Sequence, residues 1–309
     1  MDRVKTTECP LCGGQQMEHV WTCTDRYASG EEFEVCRCMK CGFLFTQDVP
    51  APHEIGRYYE TPDYISHSDT RSGLMNRIYH TVRSYMLQRK ARLVAEATGV
   101  RRGRLLDIGT GTGYFPHTMQ QRGWQVEAVE QSQQARDFAR QHFGLEVKPA
   151  DTWQNMAAGS FDAVTLWHVL EHLPHPDEVG RQLRRLLKPN GRLIVAVPNC
   201  SSYDARHYGA DWAAYDVPRH LWHFTPATLD TWARRQGLQV VKMLPMPMDA
   251  FYVSMLTEKE LGRSASFVRG LIVGLKAWMA CLGHPQRSSS LIYVLKANPT
   301  TPPSDTQSE

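Results

Sequence analysis

The chain has 309 residues, 42% hydrophobic and 22% charged, and its 35 Lys and Arg against 32 Asp and Glu leave a net charge of +3. That length allows one large domain or two modest ones, and the near balance of charge argues against a dedicated nucleic-acid binder, whose domain is usually clearly basic. The most apolar late stretch, Leu271 to Leu282, is short and carries Lys276, whereas a bilayer helix needs about 20 apolar residues, so no stable membrane insertion is expected. The first eight residues are charged and lack the apolar core of a signal peptide, which makes a cytoplasmic protein the default expectation.

Six of the eight cysteines fall within the first 41 residues. In a reducing compartment such a cluster reads as metal binding before disulfides. Residues 1–46 are also too few for a good core of their own, so a staple is expected there. Cys9-Pro10-Leu11-Cys12 and Cys38-Met39-Lys40-Cys41 are two C-x2-C turns, each followed by Gly. Each turn puts two thiolates on one side of a tight loop, and two such loops complete a closed tetrahedron. The expected ligands of a structural zinc ion are therefore Cys9, Cys12, Cys38 and Cys41. Cys36 is an alternative to Cys38, although the x2 spacing favours Cys38, and Cys23 is surplus.

Residues 47–100 follow as a connector with Pro50, Pro52, Pro62, Tyr58, Tyr59 and Tyr64, and then a helical segment over 72–98. From residue 101 the pattern alternates. Strands are expected at 104–108, 125–129, 161–166 and 192–197, with a short one at 146–148. Helices fit at 114–122, 132–143 and 176–188, and Pro189-Asn190-Gly191 reads as a turn before the fifth strand. This rhythm implies an α/β domain with a parallel sheet and helices on both faces. Thr225-Pro226 starts a helix with Thr as N-cap and Pro in the first turn, which ends at Gly237. Strands at 238–244 and 290–295 flank a helical segment over 265–282. Residues 299–309 read as a disordered tail.

Leu105-Leu106-Asp107-Ile108-Gly109-Thr110-Gly111-Thr112-Gly113 leaves a strand and opens a helix. Glycines let a backbone approach a ligand closely, and a helix start offers free N–H groups. Asp107 closes the first strand, where a carboxylate can meet a cationic or amino group. Glu130 closes the next, 23 residues on, where an acid can accept both ribose hydroxyls. That spacing also suits a dinucleotide-dependent oxidoreductase. Three details separate the readings: the loop opens with Asp107, its third Gly follows after one residue, and Phe161-Asp162-Ala163-Val164 leads into Trp167-His168-Val169-Leu170-Glu171-His172.

With Leu187-Lys188-Pro189-Asn190-Gly191-Arg192-Leu193 before the fifth strand, this combination resembles the class I S-adenosylmethionine (SAM) dependent methyltransferases over about residues 101–245. The resemblance implies a Rossmann-like domain over 101–298, its C-terminal segment on the substrate side. Asp107, Gly109, Thr110, Gly111 and Gly113 are then expected at the methionine end of SAM, Glu130 and Gln131 at its ribose, and Asp151 near the adenine amino group. Tyr114 and Trp167 complete the implied cofactor set. A four-cysteine module ahead of a SAM domain resembles one branch that includes sugar C-methyltransferases of deoxysugar pathways. The SAM domain with Glu171-His172 is also similar to the ubiquinone-pathway O-methyltransferases. The expected function is methyl transfer to a small-molecule acceptor, a sugar or another hydroxyl or carbonyl metabolite. A quinone, phenol or lipid-like acceptor is the alternative. A second alternative, a zinc-ribbon binding module on an inactive SAM-fold scaffold, sits poorly with intact Gly109, Gly111, Gly113 and Glu130. Nothing in the sequence sets the oligomeric state.

The candidate catalytic residues are His172, His220, His223 and Glu171. His168, Glu171 and His172 follow the fourth strand, at the carboxyl edge where ligands bind in such sheets. His168 and His172 could share a metal, but spacing suggests no third ligand. Asp216 to Thr225 is a loop rich in titratable and aromatic groups, as binding loops are. In the sugar C-methyltransferases a Glu-His pair occupies a similar place, and here Arg219 stands where that Glu would. His220 is the preferred base, with Arg219 steadying an oxyanion. His172 is the second candidate, and loop-locking is the alternative role for each. Trp212, Tyr215, Trp222, Phe251 and Tyr252 suit either an apolar acceptor pocket or the core. Phe267, Leu271, Leu275 and Trp278 form one helical stripe, expected to pack into the core or act as a lid, with peripheral membrane contact as the alternative.

Overall fold

The computed structural model describes residues 2–59 and 74–298. Pro62, Tyr64 and the expected disordered tail lie outside these residues. The N-terminal unit holds strands β1 (Arg3–Val4), β2 (Met17–Thr24), β3 (Glu32–Cys38), β4 (Leu44–Thr46) and β5 (Val49–Pro50). β1 pairs with β5, and β2, β3 and β4 form an antiparallel meander. Helix α1 (Leu74–Thr98) follows.

The second unit alternates strand and helix as the pattern predicts. β6 (Arg104–Ile108), α2 (Tyr114–Gln121), β7 (Gln125–Glu130), α3 (Gln133–Phe143), β8 (Lys148–Pro149), β9 (Phe161–Trp167), α4 (Pro176–Leu186) and β10 (Leu187–Pro198) come first. α5 (Tyr203–Tyr208), β11 (Trp222–His223), α6 (Pro226–Arg235), β12 (Leu238–Pro245), α7 (Asp249–Glu260), α8 (Ser266–Cys281) and β13 (Ser290–Ala297) complete the chain. Local chemistry sets the ends. The Ser132 hydroxyl accepts the Ala135 N–H at 3.3 Å, and Gly144 closes α3 at φ 61°. Thr225 and Thr228 form a capping box with Pro226 in the first turn of α6.

The seven-stranded sheet runs β12-β13-β10-β9-β6-β7-β8. β10, β9, β6, β7 and β8 are parallel, but β13 is antiparallel to both neighbours. The five strands of the alternating pattern are thus parallel as expected, and β13 joins them antiparallel because the chain returns through the α7–α8 hairpin before laying it down. The central strands are buried on both faces: Leu105, Leu106, Val164, Leu166, Ile194 and Val195 are inaccessible, as expected where helices cover both sides.

Pro189-Asn190-Gly191 is a bulge within β10 rather than a turn before it. Leu187 pairs with Phe161 and Arg192 with Ala163, so five steps on one strand face two on the other. Gly191 permits the tight fold: a Cβ there would lie 2.9 Å from the Phe161 carbonyl. The short third strand sits at Lys148–Pro149 rather than 146–148, pairing with Val129 and Glu130, and Leu145 and Val147 ahead of it are buried with Ala128 and Ala139.

β11 pairs with β4 and extends the N-terminal meander into a sheet ordered β11-β4-β3-β2. One further expectation changes. The stripe of α8 does not pack into the core. Phe267, Leu271, Leu275 and Trp278 are exposed, while Gly270, Val273, Gly274 and Ala277 face the protein. Small residues pack here because the helices cross closely: a Cβ at Gly270 would lie 2.6 Å from the Cα of Met255 on α7. Among the described residues no helix is long and apolar enough to cross a membrane.

Candidate active site

The carboxyl ends of β6, β7 and β9 open into a cavity of about 990 Å³, roofed by residues 4–10 and 46–52 of the N-terminal unit. One wall carries Gly109, Gly111, Thr112, Glu130 and Gln131. Gly109 has φ 69° and a Cβ there would meet Val169 at 2.4 Å, so the turn admits only glycine. Gly111 has φ 56° and faces open space. The Glu130 carboxylate accepts the N–H groups of Gly111 (2.8 Å) and Ser132 (2.9 Å). These bonds fix it at the rim with lone pairs to spare.

Several residues expected at the cofactor stand back from this wall. Asp107 is buried beneath the loop, where it accepts the Thr165 hydroxyl at 2.5 Å; burial lifts its carboxyl to about 6. Thr110 and Gly113 lie in the loop but not on the wall, and Gly113 instead caps α2, with Ala139 2.9 Å from where its Cβ would be. Tyr114 packs edge-on to Phe143 beneath Arg83. Trp167 packs against Phe115 and Lys90. Asp151 is exposed, and its neighbours Ala150 and Trp153 line the cavity instead.

The opposite wall carries Tyr59, His168, His172 and Trp222. His172 Nδ1–H donates to the Arg219 carbonyl at 3.0 Å, with Tyr59 Oη 3.1 Å away. A carbonyl only accepts, so this fixes the tautomer and leaves Nε2 as an acceptor. Burial, then the neighbouring His220, push His172 down to about 4, so its ring is neutral near pH 7. His220 is buried behind it, ring centroids 4.5 Å apart, with Nδ1–H on the Ala214 carbonyl at 2.9 Å. His223 is buried deeper, hydrogen-bonded to Thr46 Oγ1 at 3.0 Å, and burial drives it to about 3. Neither His220 nor His223 reaches the cavity wall.

Glu171 is fully buried, and neither carboxylate oxygen has a hydrogen-bond partner. Burial alone would raise it, but His168 and then His220 hold it below the usual carboxylate value. His168 lies between Glu171 (3.6 Å) and Asp249 (3.4 Å). Burial opposes its charge, yet the two carboxylates raise it to about 9. Its φ of 58° is rare for a non-glycine residue. Glu171 also stands 4.0 Å from His220 Nε2. A Glu–His pair therefore exists, built across two loops rather than along one. Ligand atoms of Glu171, His172 and His220 lie within 4.8 Å of one another, a group that does not include His168.

Arg219 borders the cavity, but its guanidinium is turned to protein partners. Its guanidinium donates to Asp25 (2.9 Å), Asp216 (2.6 Å) and the Tyr58 carbonyl (3.0 Å), and its side chain is 1% exposed. Expected to steady an oxyanion, Arg219 already pairs with two carboxylates, Asp25 and Asp216. Trp212 and Tyr215 belong to the core, Tyr252 is exposed, and of the five aromatics considered only Trp222 lines the cavity. Tyr59 and Asp249 join the site without any sequence signal, since each reaches it from a distant segment.

The four thiols of Cys9, Cys12, Cys38 and Cys41 lie within 4.8 Å of one another, with Cys9–Cys41 at 3.6 Å and Cys12–Cys38 at 3.5 Å. Cys36 is not among them. Gly13 and Gly42, at φ 68° and 74°, turn each knuckle. Although burial opposes it, the Cys41 and Lys40 amides bring the Cys38 thiol down to about 7.

A family profile described as a methyltransferase domain matches residues 79–243. The ubiquinone biosynthesis O-methyltransferase of Xanthomonas oryzae pv. oryzae is 34% identical over 151 residues, covering 44% of this chain and 63% of that protein. The chain thus spans less than two thirds of the length of these relatives. The protein of the same description from Pseudomonas aeruginosa is 32% identical over 161 residues, 48% of this chain and 69% of that one. Among solved structures, a Burkholderia thailandensis 1,6-didemethyltoxoflavin-N1-methyltransferase bound to S-adenosylhomocysteine is 17% identical with a TM-score of 0.48, covering 84% of this chain and 97% of that one. With the profile matching more than half of its 309 residues, the chain belongs to the methyltransferase-domain family.

Proposed function

We propose that the protein is a SAM-dependent methyltransferase acting on a small-molecule acceptor, with residues 1–46 as a zinc-stapled ribbon, 47–100 as connector and helix, and 101–298 as the catalytic domain. The observation that carries this reading is the single cavity with a glycine-and-acid wall on one side and a histidine wall on the other. Its volume of about 990 Å³ lies at the top of the usual range for ligand pockets, enough for a cofactor and a small acceptor together. SAM, when bound, supplies an electrophilic sulfonium methyl. Glu130 accepts its ribose hydroxyls, Gly109 and Gly111 let the backbone come close, and Asp107 acts from beneath the loop.

On the acceptor side, His172 rather than His220 is the base, because it alone of the two lines the cavity with a neutral ring and Nε2 available. It takes the proton of an acceptor hydroxyl, while the Glu171 carboxylate offsets the charge left on the imidazoles. Alignment in the cavity supplies the rest of the rate. Cys9, Cys12, Cys38 and Cys41 hold a structural zinc ion whose chemistry is to close the two knuckles. The staple positions the segments that roof the cavity.

A phenol or quinone-like hydroxyl is the acceptor class that the wall favours. Ile55, Leu173, Pro174 and Trp222 give the cavity that holds His172 apolar surface, and the Xanthomonas relatives are described as O-methyltransferases of ubiquinone biosynthesis. The test is incubation with methyl-labelled SAM against a panel of catechols, phenols and deoxysugar nucleotides. A labelled phenolic ether is expected. A labelled sugar would replace this acceptor class, and SAM binding without transfer to any member would favour the inactive scaffold.

A further inference from the structure

Helix α8 has a third face that neither the core nor the cavity uses. Eight large apolar residues of 267–282 are exposed, from Trp278 at 36% to Leu282 at 61%. At 100° per residue, Phe267, Trp278, Leu271, Leu282, Leu275 and Val268 fall next to one another, with Met279 and Ile272 beside them, in an arc of about 140°. Arg269 and Lys276 follow at one edge of that arc. The remaining arc holds the buried residues Gly270, Val273, Gly274 and Ala277. The outward face is therefore not a misplaced packing face: the glycines already seat the helix on α7, where added side chains would collide with Met255 and Phe251.

Charge says what covers it. Residues 261–287 contain Arg263, Arg269, Lys276 and Arg287 and no Asp or Glu. Arg263 and Arg269 share the buried Glu258, whereas Lys276 sits exposed beside the apolar arc. Past the end of α8, Arg287 joins Arg206, His207 and Tyr203 of α5 in an open groove of about 380 Å³. An apolar helical face with a cationic edge and a cationic groove at its end complements an anionic bilayer surface, with the apolar arc at the acyl boundary and the cations among the headgroups. A second copy docked on this face would instead bring like charges together.

We infer that α8 is an in-plane membrane-docking helix that seats the protein on anionic phospholipid. No residue of the exposed face lines the cavity, so this stands apart from the methyltransferase reading. The test is co-sedimentation of the full chain with phosphatidylcholine vesicles, with and without about one third phosphatidylglycerol. Binding to the anionic vesicles is expected. Leu271→Glu with Leu275→Glu should weaken it at least about tenfold by placing two carboxylates in the acyl layer, and Phe267→Ser, at a 60% exposed position, should weaken it less. Arg206→Glu with Arg287→Glu should abolish the preference for phosphatidylglycerol. SAM binding and melting temperature should stay at wild-type values in all three. No binding of the wild type to either vesicle, or undiminished binding by the double Glu variant, overturns the inference. So does a concentration-dependent dimer in sedimentation velocity that the double Glu variant dissolves.

Discussion

Replacing Arg219 by Leu separates a structural cation from a substrate-binding one. The guanidinium is 1% exposed and holds Asp25, itself inaccessible, and Asp216, which is 28% exposed. Removing one member of a buried ion pair typically costs about 3–5 kcal/mol, because the abandoned charge stays buried. Two features place this site at the lower end. Asp25 keeps the N–H groups of Ala28 and Ser29 and the Ser29 hydroxyl, and Asp216 retains partial access to water. A loss of about 3 kcal/mol follows, which lowers the melting temperature by about 6–12 °C at roughly 2–4 °C per kcal/mol for a large domain. Arg219→Lys should fall between the two, since it keeps the charge and loses the bidentate fork. Thermal and urea unfolding of the three proteins provide the assay. An unchanged melting temperature with collapsed turnover in Arg219→Leu would refute the reasoning and return Arg219 to the acceptor.

Other outcomes follow from the same geometry. Cys9→Ser with Cys38→Ser should lose the one zinc per chain by metal analysis and make the first 46 residues protease-sensitive; full zinc retention contradicts the ligand set. His172→Asn should lose about 100-fold or more in turnover, as for a general base, with SAM affinity intact, while His220→Asn should lose less. The reverse order would restore His220 as the base. Stability should fall as pH drops from about 6.5 toward 4, because the unfolded chain protonates histidines that the fold holds down to about 4 at His172 and about 3 at His223. His168 acts oppositely: its contribution is full below about 6.5 and is lost as pH rises through about 9, so Asp249→Asn should flatten the alkaline limb of urea midpoints against pH.

Periodicity and turn chemistry made most of the fold legible. The glycine loop, the strand-closing Glu130 and the two C-x2-C knuckles are local patterns, and each lies where its spacing placed it. What failed was non-local. Arg219 looked available because its partners Asp25 and Tyr58 lie more than 150 residues away. Glu171 reaches within 4.0 Å of His220 from a different loop, a pairing no local spacing shows. The mixed sheet depends on where β13 inserts, and β11 extends a sheet begun near the N-terminus. For α8 the period was read correctly and the face was not, because hydropathy favours burial of Phe267 and Leu271 whereas steric fit at Gly270 and Gly274 decided which side packs.

The central claim is that SAM binds at the glycine wall with Glu130 on its ribose. Calorimetric titration of SAM into the wild type and Glu130→Ala tests it most directly. The account predicts binding by the wild type and a loss of about 1–3 kcal/mol in the variant, the value of hydrogen bonds to a charged group, with both proteins folded. Absence of SAM binding in the wild type, or equal affinity in the two, would contradict it.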